Sequence, residues 1–234
     1  MNRRGREPAG DETDPMPRIR TFIAVDLPGQ VKDRIEEIVL PLRPLSRSIR
    51  WVRPEGLHLT LKFLGEIPEE QLPAIFTALE TALCGRSSFH FRLSGLGGFP
   101  NLRRPRVLWI GIREGGEPLR ELAGAVEKAL VPCGFPPEKR PFSPHLTIGR
   151  VRSPRDLQAV LERLPDIEYA SGPITAGTVK VMKSQLKPTG AEYSAQKIID
   201  LKTPVRGNTG GPVGIEGDKP DDTKEGQPSA EPTP

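Results

Sequence analysis

Residues 57–61 read Leu57-His58-Leu59-Thr60-Leu61, and residues 144–148 read Pro144-His145-Leu146-Thr147-Ile148. The chain has only three histidines, and two of them stand in these matched settings. From the threonine content, two chance His-x-Thr pairs among three histidines have a probability of about one per cent. Side chains alternate along a strand. His58 and Thr60 therefore point one way, and Leu59, Leu61 and Phe63 the other. His145 and Thr147 repeat the pattern, with Leu146 and Ile148 opposite. Each stretch predicts a strand with an apolar core face and a polar face carrying an imidazole beside a hydroxyl.

The flanking sequence alternates strand-like and helix-like segments. Residues 18–27 are rich in β-formers and stop at Pro28, which predicts a strand. Val31, Ile35, Ile38, Val39 and Leu42 recur at helical spacing. Further helices are expected over 69–83, 119–130 and 156–164, the last with Ser153 and Pro154 at its start. Strands are expected over 89–93, 106–112 and 145–151. Residues 178–186 and 193–201 bracket Lys-Pro-Thr-Gly-Ala-Glu, a hairpin turn. Strand, helix and strand thus repeat in each half. This predicts an α+β chain with sheets packed against outer helices rather than a parallel doubly wound fold. No glycine-rich phosphate loop follows the first strand, where Val25-Asp26-Leu27-Pro28 stands instead.

Composition narrows the class. The 234 residues include 24 Gly and 27 Pro, and no apolar run is long enough to span a membrane. The first residues show no secretory pattern. Cys84 and Cys133 lie far apart without metal-site spacing, so a reduced, cytoplasmic setting is expected. Residues 1–17 and 203–234 read as disordered tails, the second rich in Pro, Gly and acidic groups. The domain is then 18–202. The whole chain carries a formal charge of +4. Both tails are net acidic, so the intervening domain is more basic than that figure. Such a surplus suits an anionic partner, and equally a solvated basic surface.

The residue inventory points to a chemistry. Two imidazoles titrating near neutrality supply a general acid and a general base. Two hydroxyls donate to oxygens of a tetrahedral anion and stabilise charge developing there. Neither motif holds a carboxylate or a further histidine, so no metal or other cofactor is expected. A reaction with these needs is the opening or closing of a 2′,3′-cyclic phosphate. One histidine takes a proton from water, and the other protonates the departing ribose oxygen.

The motifs RTFIAVDLP (20–28), HLTLKFLG (58–65), GGFPNLRRPRVLWIGI (97–112), FSPHLTIGR (142–150) and KSQLKPTGAEY (183–193) occur in that order. With them the chain resembles the two-histidine phosphoesterase superfamily. Within it the chain is most similar to the LigT-like RNA 2′,3′-cyclic phosphodiesterases, also called 2′-5′ RNA ligases. The resemblance spans residues 18–201. It implies two pseudo-symmetric lobes of antiparallel sheet with outer helices around a central cleft. It implies His58 as proton donor, His145 as proton acceptor, and Thr60 and Thr147 as phosphate-binding groups. It also implies hydrolysis of RNA 2′,3′-cyclic phosphate ends to 2′-phosphates, with 2′-5′ ligation as the reverse. The implied partner is RNA with such an end, tRNA fragments included, and a monomer is expected. Two other readings compete: a related phosphoesterase acting on small cyclic phosphates or 2′-5′ oligonucleotides, and a non-catalytic RNA-end binding module.

Other residues weigh less. Alternation puts Lys62 on the His58 face, as a solvated lysine or near phosphate. Alternation puts Arg150 opposite His145, as a structural or cleft-rim group. Trp51 and Trp109 are expected in the core, Phe142 in the core or stacked on a base, and His90 is expected to be structural. Arg103, Arg104 and Arg106 read either as a solvated loop or as a track for an RNA backbone.

Overall fold

The computed structural model describes residues 17–187 and 190–203. Both expected tails lie almost wholly outside the described residues. Nine strands and four α-helices are described: β1 (Arg18–Asp26), α1 (Gly29–Val39), β2 (Ile49–Trp51), β3 (His58–Pro68), α2 (Leu72–Leu83), β4 (Phe89–Phe99), β5 (Val107–Glu114), α3 (Gly116–Leu130), β6 (His145–Val151), α4 (Gln158–Arg163), β7 (Ile174–Ala176), β8 (Thr178–Lys187) and β9 (Gly190–Asp200). The strands form two sheets, in the orders β3-β1-β8-β9 and β2-β6-β5-β4-β7. Every pairing between neighbours is antiparallel. The α+β reading holds.

The order of elements is duplicated. The run β1-α1-β3-α2-β4 recurs as β5-α3-β6-α4-β8, with β2, β7 and β9 as additions. The last strand of each run crosses to the other sheet. β4 pairs with β5, and β8 pairs with β1. The two sheets are therefore locked together by exchanged strands, and the two motif strands β3 and β6 take equivalent places.

Helical periodicity supplies the outer layer. In α3, Leu119, Leu122, Ala123, Val126 and Leu130 are buried, a stripe at positions i, i+3, i+4, i+7 and i+11. They join Ile23, Val25, Leu59 and Leu61 from the first sheet and Leu108, Ile110, Leu146 and Ile148 from the second in one core. Burying each of these Leu, Ile and Val side chains contributes roughly 1.5–3 kcal/mol. Just before α3, Gly115 adopts φ +75°, and any side chain there would run into the His90 carbonyl. Glycine alone fits that turn.

Sequence and structure differ at element ends. The last helix starts at Gln158, not at 156. Asp156 has φ +50°, and its carboxylate accepts the Arg47 N–H at 2.9 Å. That contact fastens it to the 46–48 loop instead of the helix. The expected pairing of the last two strands is present, but the strands run on to Lys187 and Gly190, and residues 188–189 of the expected turn lie outside the described residues. Among the described residues, no helix is long and apolar enough to cross a membrane.

Candidate active site

Both motif strands contain a bulge at the same place. In the β1–β3 ladder, Ala24 pairs with Thr60 but Ile23 pairs with Lys62, so Leu61 is the extra residue. In the β5–β6 ladder, Trp109 pairs with Thr147 but Leu108 pairs with Gly149, so Ile148 is the extra residue. A bulge shifts the alternation by one. Residues opposite each other in a ladder share a face. Phe63, opposite Phe22, therefore joins His58 and Thr60. Arg150, opposite Val107, joins His145 and Thr147.

This corrects three expectations. Lys62 does not share the His58 face. It is buried, with Nζ 3.2 Å from Glu127 Oε1 and 3.0 Å from the Pro136 carbonyl. Phe63 is not a core residue but is 44% exposed on the motif face, with the Arg20 guanidinium 4.4 Å from its ring centroid. Arg150 is not on the face opposite His145 but on the same face, further along β6, and is exposed.

His58 stacks on Phe22 at 4.6 Å between ring centroids, and Tyr193 meets it edge-on at 5.2 Å. Burial pushes its imidazole down to about 4. Asp26, across the ladder, works against that shift, as does a hydrogen bond to the Gly56 carbonyl. The charges of Lys32 and Arg150 add to it. With that value His58 is a neutral imidazole at pH 7. Arg150 lies on the second sheet, so its effect on His58 brings the two motif faces within electrostatic reach.

His145 is arranged in a parallel way. Its Nδ1 lies 2.8 Å from the Ser143 carbonyl. A carbonyl only accepts, so Nδ1 carries the hydrogen and Nε2 is left for chemistry. The acceptor stands two residues before the histidine, as Gly56 stands two before His58. Phe99 meets the His145 ring edge-on at 4.9 Å, and Trp109 lies 5.3 Å from Phe99. Trp109 is opposite Thr147 and lies over Gly97, where any side chain would collide with the indole. It therefore belongs to the motif face, a correction to its expected core position. Trp51 and Phe142 do pack against the core. His90 is exposed and pairs with Thr175 on β7, away from both motifs. Arg103 and Arg104 stand in an exposed loop whose N–H groups donate to Asn101 Oδ1.

Several site residues carried no sequence signal. Asp26 is clamped by Lys32 and Lys180, at 2.7 Å each. Phe22, Tyr193 and Phe99 frame the imidazoles from strands far away in sequence. Their only legible trace is membership of segments quoted above, such as Phe22 and Asp26 in RTFIAVDLP. Among the described residues, no three His, Cys, Asp or Glu side chains group as a metal site would.

A duplicated fold that presents an imidazole and a hydroxyl on a matched strand of each half defines the class of two-histidine phosphoesterases. The family model described as LigT like Phosphoesterase matches residues 25–109 and again 110–193, one copy per half. An RNA 2′,3′-cyclic phosphodiesterase of Methanothermobacter thermautotrophicus is 34% identical over 185 residues, 79% of this chain and 100% of that one. One of Thermotoga maritima is 36% identical over 175 residues, 75% of this chain and 91% of that one. A crystal structure from Thermus thermophilus superposes with a TM-score of 0.66 at 28% identity, covering 80% of this chain and 100% of that one. Escherichia coli LigT complexed with 3′-AMP gives 0.64 at 25% identity, with the same coverage. The chain belongs to the LigT-like phosphoesterase family.

Proposed function

We propose that this chain hydrolyses the 2′,3′-cyclic phosphate end of RNA to a 2′-phosphomonoester, with 2′-5′ ligation as the parallel ring opening in which an RNA 5′-hydroxyl replaces water as the nucleophile. One observation carries the reading: two motif strands, matched down to their bulges, each hold an imidazole with a carbonyl two residues upstream. The names of the relatives support the substrate.

Thr60 and Thr147 donate to the non-bridging phosphate oxygens, and Arg150 offsets their charge. His145 Nε2 takes a proton from water as the water oxygen bonds to phosphorus. The bond from phosphorus to O3′ breaks, and His58 delivers its proton to O3′. The phosphate stays on O2′. Solvent resets both imidazoles. The donor assignment follows the family resemblance, and it has a consequence here. Burial keeps the His58 imidazole neutral at pH 7, and the negative charge of a bound phosphate favours the imidazolium that donates the proton.

The test is an oligoribonucleotide ending in a 2′,3′-cyclic phosphate, incubated with the protein in excess chelator. The expected product is a 2′-phosphate, identified by ³¹P NMR. No turnover, or turnover only after a divalent metal is restored, would overturn the proposal.

A further inference from the structure

Arg50 and Arg150 face each other directly across the β2–β6 ladder. Both are exposed, and neither guanidinium has a hydrogen-bond or ion-pair partner among the described residues. Like charges placed opposite one another in a sheet destabilise it. An uncompensated pair of this kind is sensible where an anion neutralises it. Arg150 is already committed, since its charge reaches His58. Arg50 lies one strand further out, about 4.8 Å away in the pairing direction, on the edge strand of its sheet. It leans towards the other sheet, with Nη2 3.7 Å from where a Cβ on Gly190 would stand. The open edge there is flanked by the hairpin of β8 and β9.

We infer that Arg50 binds a second phosphate, the phosphodiester on the 5′ side of the terminal nucleotide. This rests on the function proposed above and deepens it. A chain whose cyclic phosphate sits between His58 and His145 leaves past β2, and Arg50 takes the next negative charge it carries. The substrate class is then an oligonucleotide end rather than a cyclic mononucleotide, which has no second phosphate. A guanidinium suits this task because its planar fork meets phosphate oxygens in pairs.

The experiment compares kcat/KM for a cyclic-phosphate-ended trinucleotide and for a 2′,3′-cyclic mononucleotide, in wild type, Arg50→Gln and Arg50→Lys. The oligonucleotide-to-mononucleotide preference should fall about tenfold in Arg50→Gln, the size of a lost charge-assisted hydrogen bond. The slope of log kcat/KM against log salt for the trinucleotide should become shallower by about 0.7, one single-strand phosphate contact. Arg50→Lys, which keeps the charge, should keep the slope. An unchanged preference in Arg50→Gln, or an equal loss on both substrates, would overturn the inference. If the wild type turns over neither substrate, the proposed function falls by itself. Fluorescence anisotropy with a 2′-phosphate-ended trinucleotide against the 2′-mononucleotide then decides the Arg50 subsite: a selective loss in Arg50→Gln supports it, and equal affinities refute it.

Discussion

Asp26 stands directly across the β1–β3 ladder from His58, its carboxylate clamped by two lysines. Burial pulls this carboxyl up. Hydrogen bonds from Lys180, Lys32 and the Leu27 N–H outweigh it and hold Asp26 below the ordinary carboxylate range. The charged Asp26 is in turn the largest influence keeping the His58 imidazole from falling further. Asp26→Asn removes that influence and leaves the Lys32 charge in place. His58 should then titrate below about 4, read from its ring resonances by NMR. An upward move would contradict the account. Adding inorganic phosphate to the wild type should move the same resonances the other way.

The buried imidazole also sets a pH dependence of stability. The folded His58 titrates near 4, and the unfolded one near 6.5. Between those values the unfolded chain binds the extra proton, so stability falls as the pH drops from about 6.5 towards 4. The contribution lost is on the order of 3 kcal/mol. Asp26 loses stability in the same direction, but at lower pH. Denaturant unfolding of wild type and His58→Gln at pH 7 and pH 4.5 isolates the histidine share. The variant should lose clearly less stability than the wild type over this range, and an equal loss would refute the assignment.

Lys62 and Glu127 join β3 to α3, and Glu127 Oε1 also accepts the Glu138 N–H at 3.1 Å. Removing one partner of a buried pair costs more than replacing the cation with an apolar chain. Glu127→Ala leaves a buried ammonium with a single carbonyl acceptor. Lys62→Met fills the same space without a charge, and Glu127 is solvated enough to be left alone. Glu127→Ala should therefore lower Tm more than Lys62→Met. The reverse order would show that the ion pair does not govern this contact.

Much of the fold was legible. The two motifs, the five other strand segments and the amphipathic stripes follow from local spacing, which is set by neighbours along the chain. What was not legible depends on partners. The bulges at Leu61 and Ile148 look like ordinary aliphatic positions in sequence. They arise only where the neighbouring strand skips a residue, and they misdirected Lys62, Phe63 and Arg150 together. β2 and β7 have three residues each, too few for a period to register. Trp109 is apolar, and only the bare Gly97 beside it makes room for the ring on the motif face. Asp26 reaches the site across the β1–β3 ladder and Tyr193 from β9, beside the exchanged β8, and no local pattern announces either.

The last described residues are tied to the segment before β4. Lys202 donates its N–H to the Arg86 carbonyl and accepts the Ser88 N–H, each at 2.7 Å, and Leu201 is buried. A chain ending after Thr203 should keep the wild-type Tm and turnover. One ending at Asp200 should lose about 1–3 kcal/mol, because a buried side chain and three backbone bonds disappear, the third from the Leu201 N–H to the Gly177 carbonyl. Equal stability of the two truncations, measured by thermal unfolding, would contradict this reading.

The central claim is that His58 and His145 work as one acid–base pair on a cyclic phosphate. The most direct test is single-turnover hydrolysis of a cyclic-phosphate-ended oligoribonucleotide by wild type, His58→Ala, His145→Ala and the double variant. Each single change should slow the reaction by about 10²–10⁴-fold. The double variant should be little worse than either single one, because the residues act as a unit. Wild type should release only the 2′-phosphate. A near-wild-type rate in either single variant, or a 3′-phosphate product, would contradict the account.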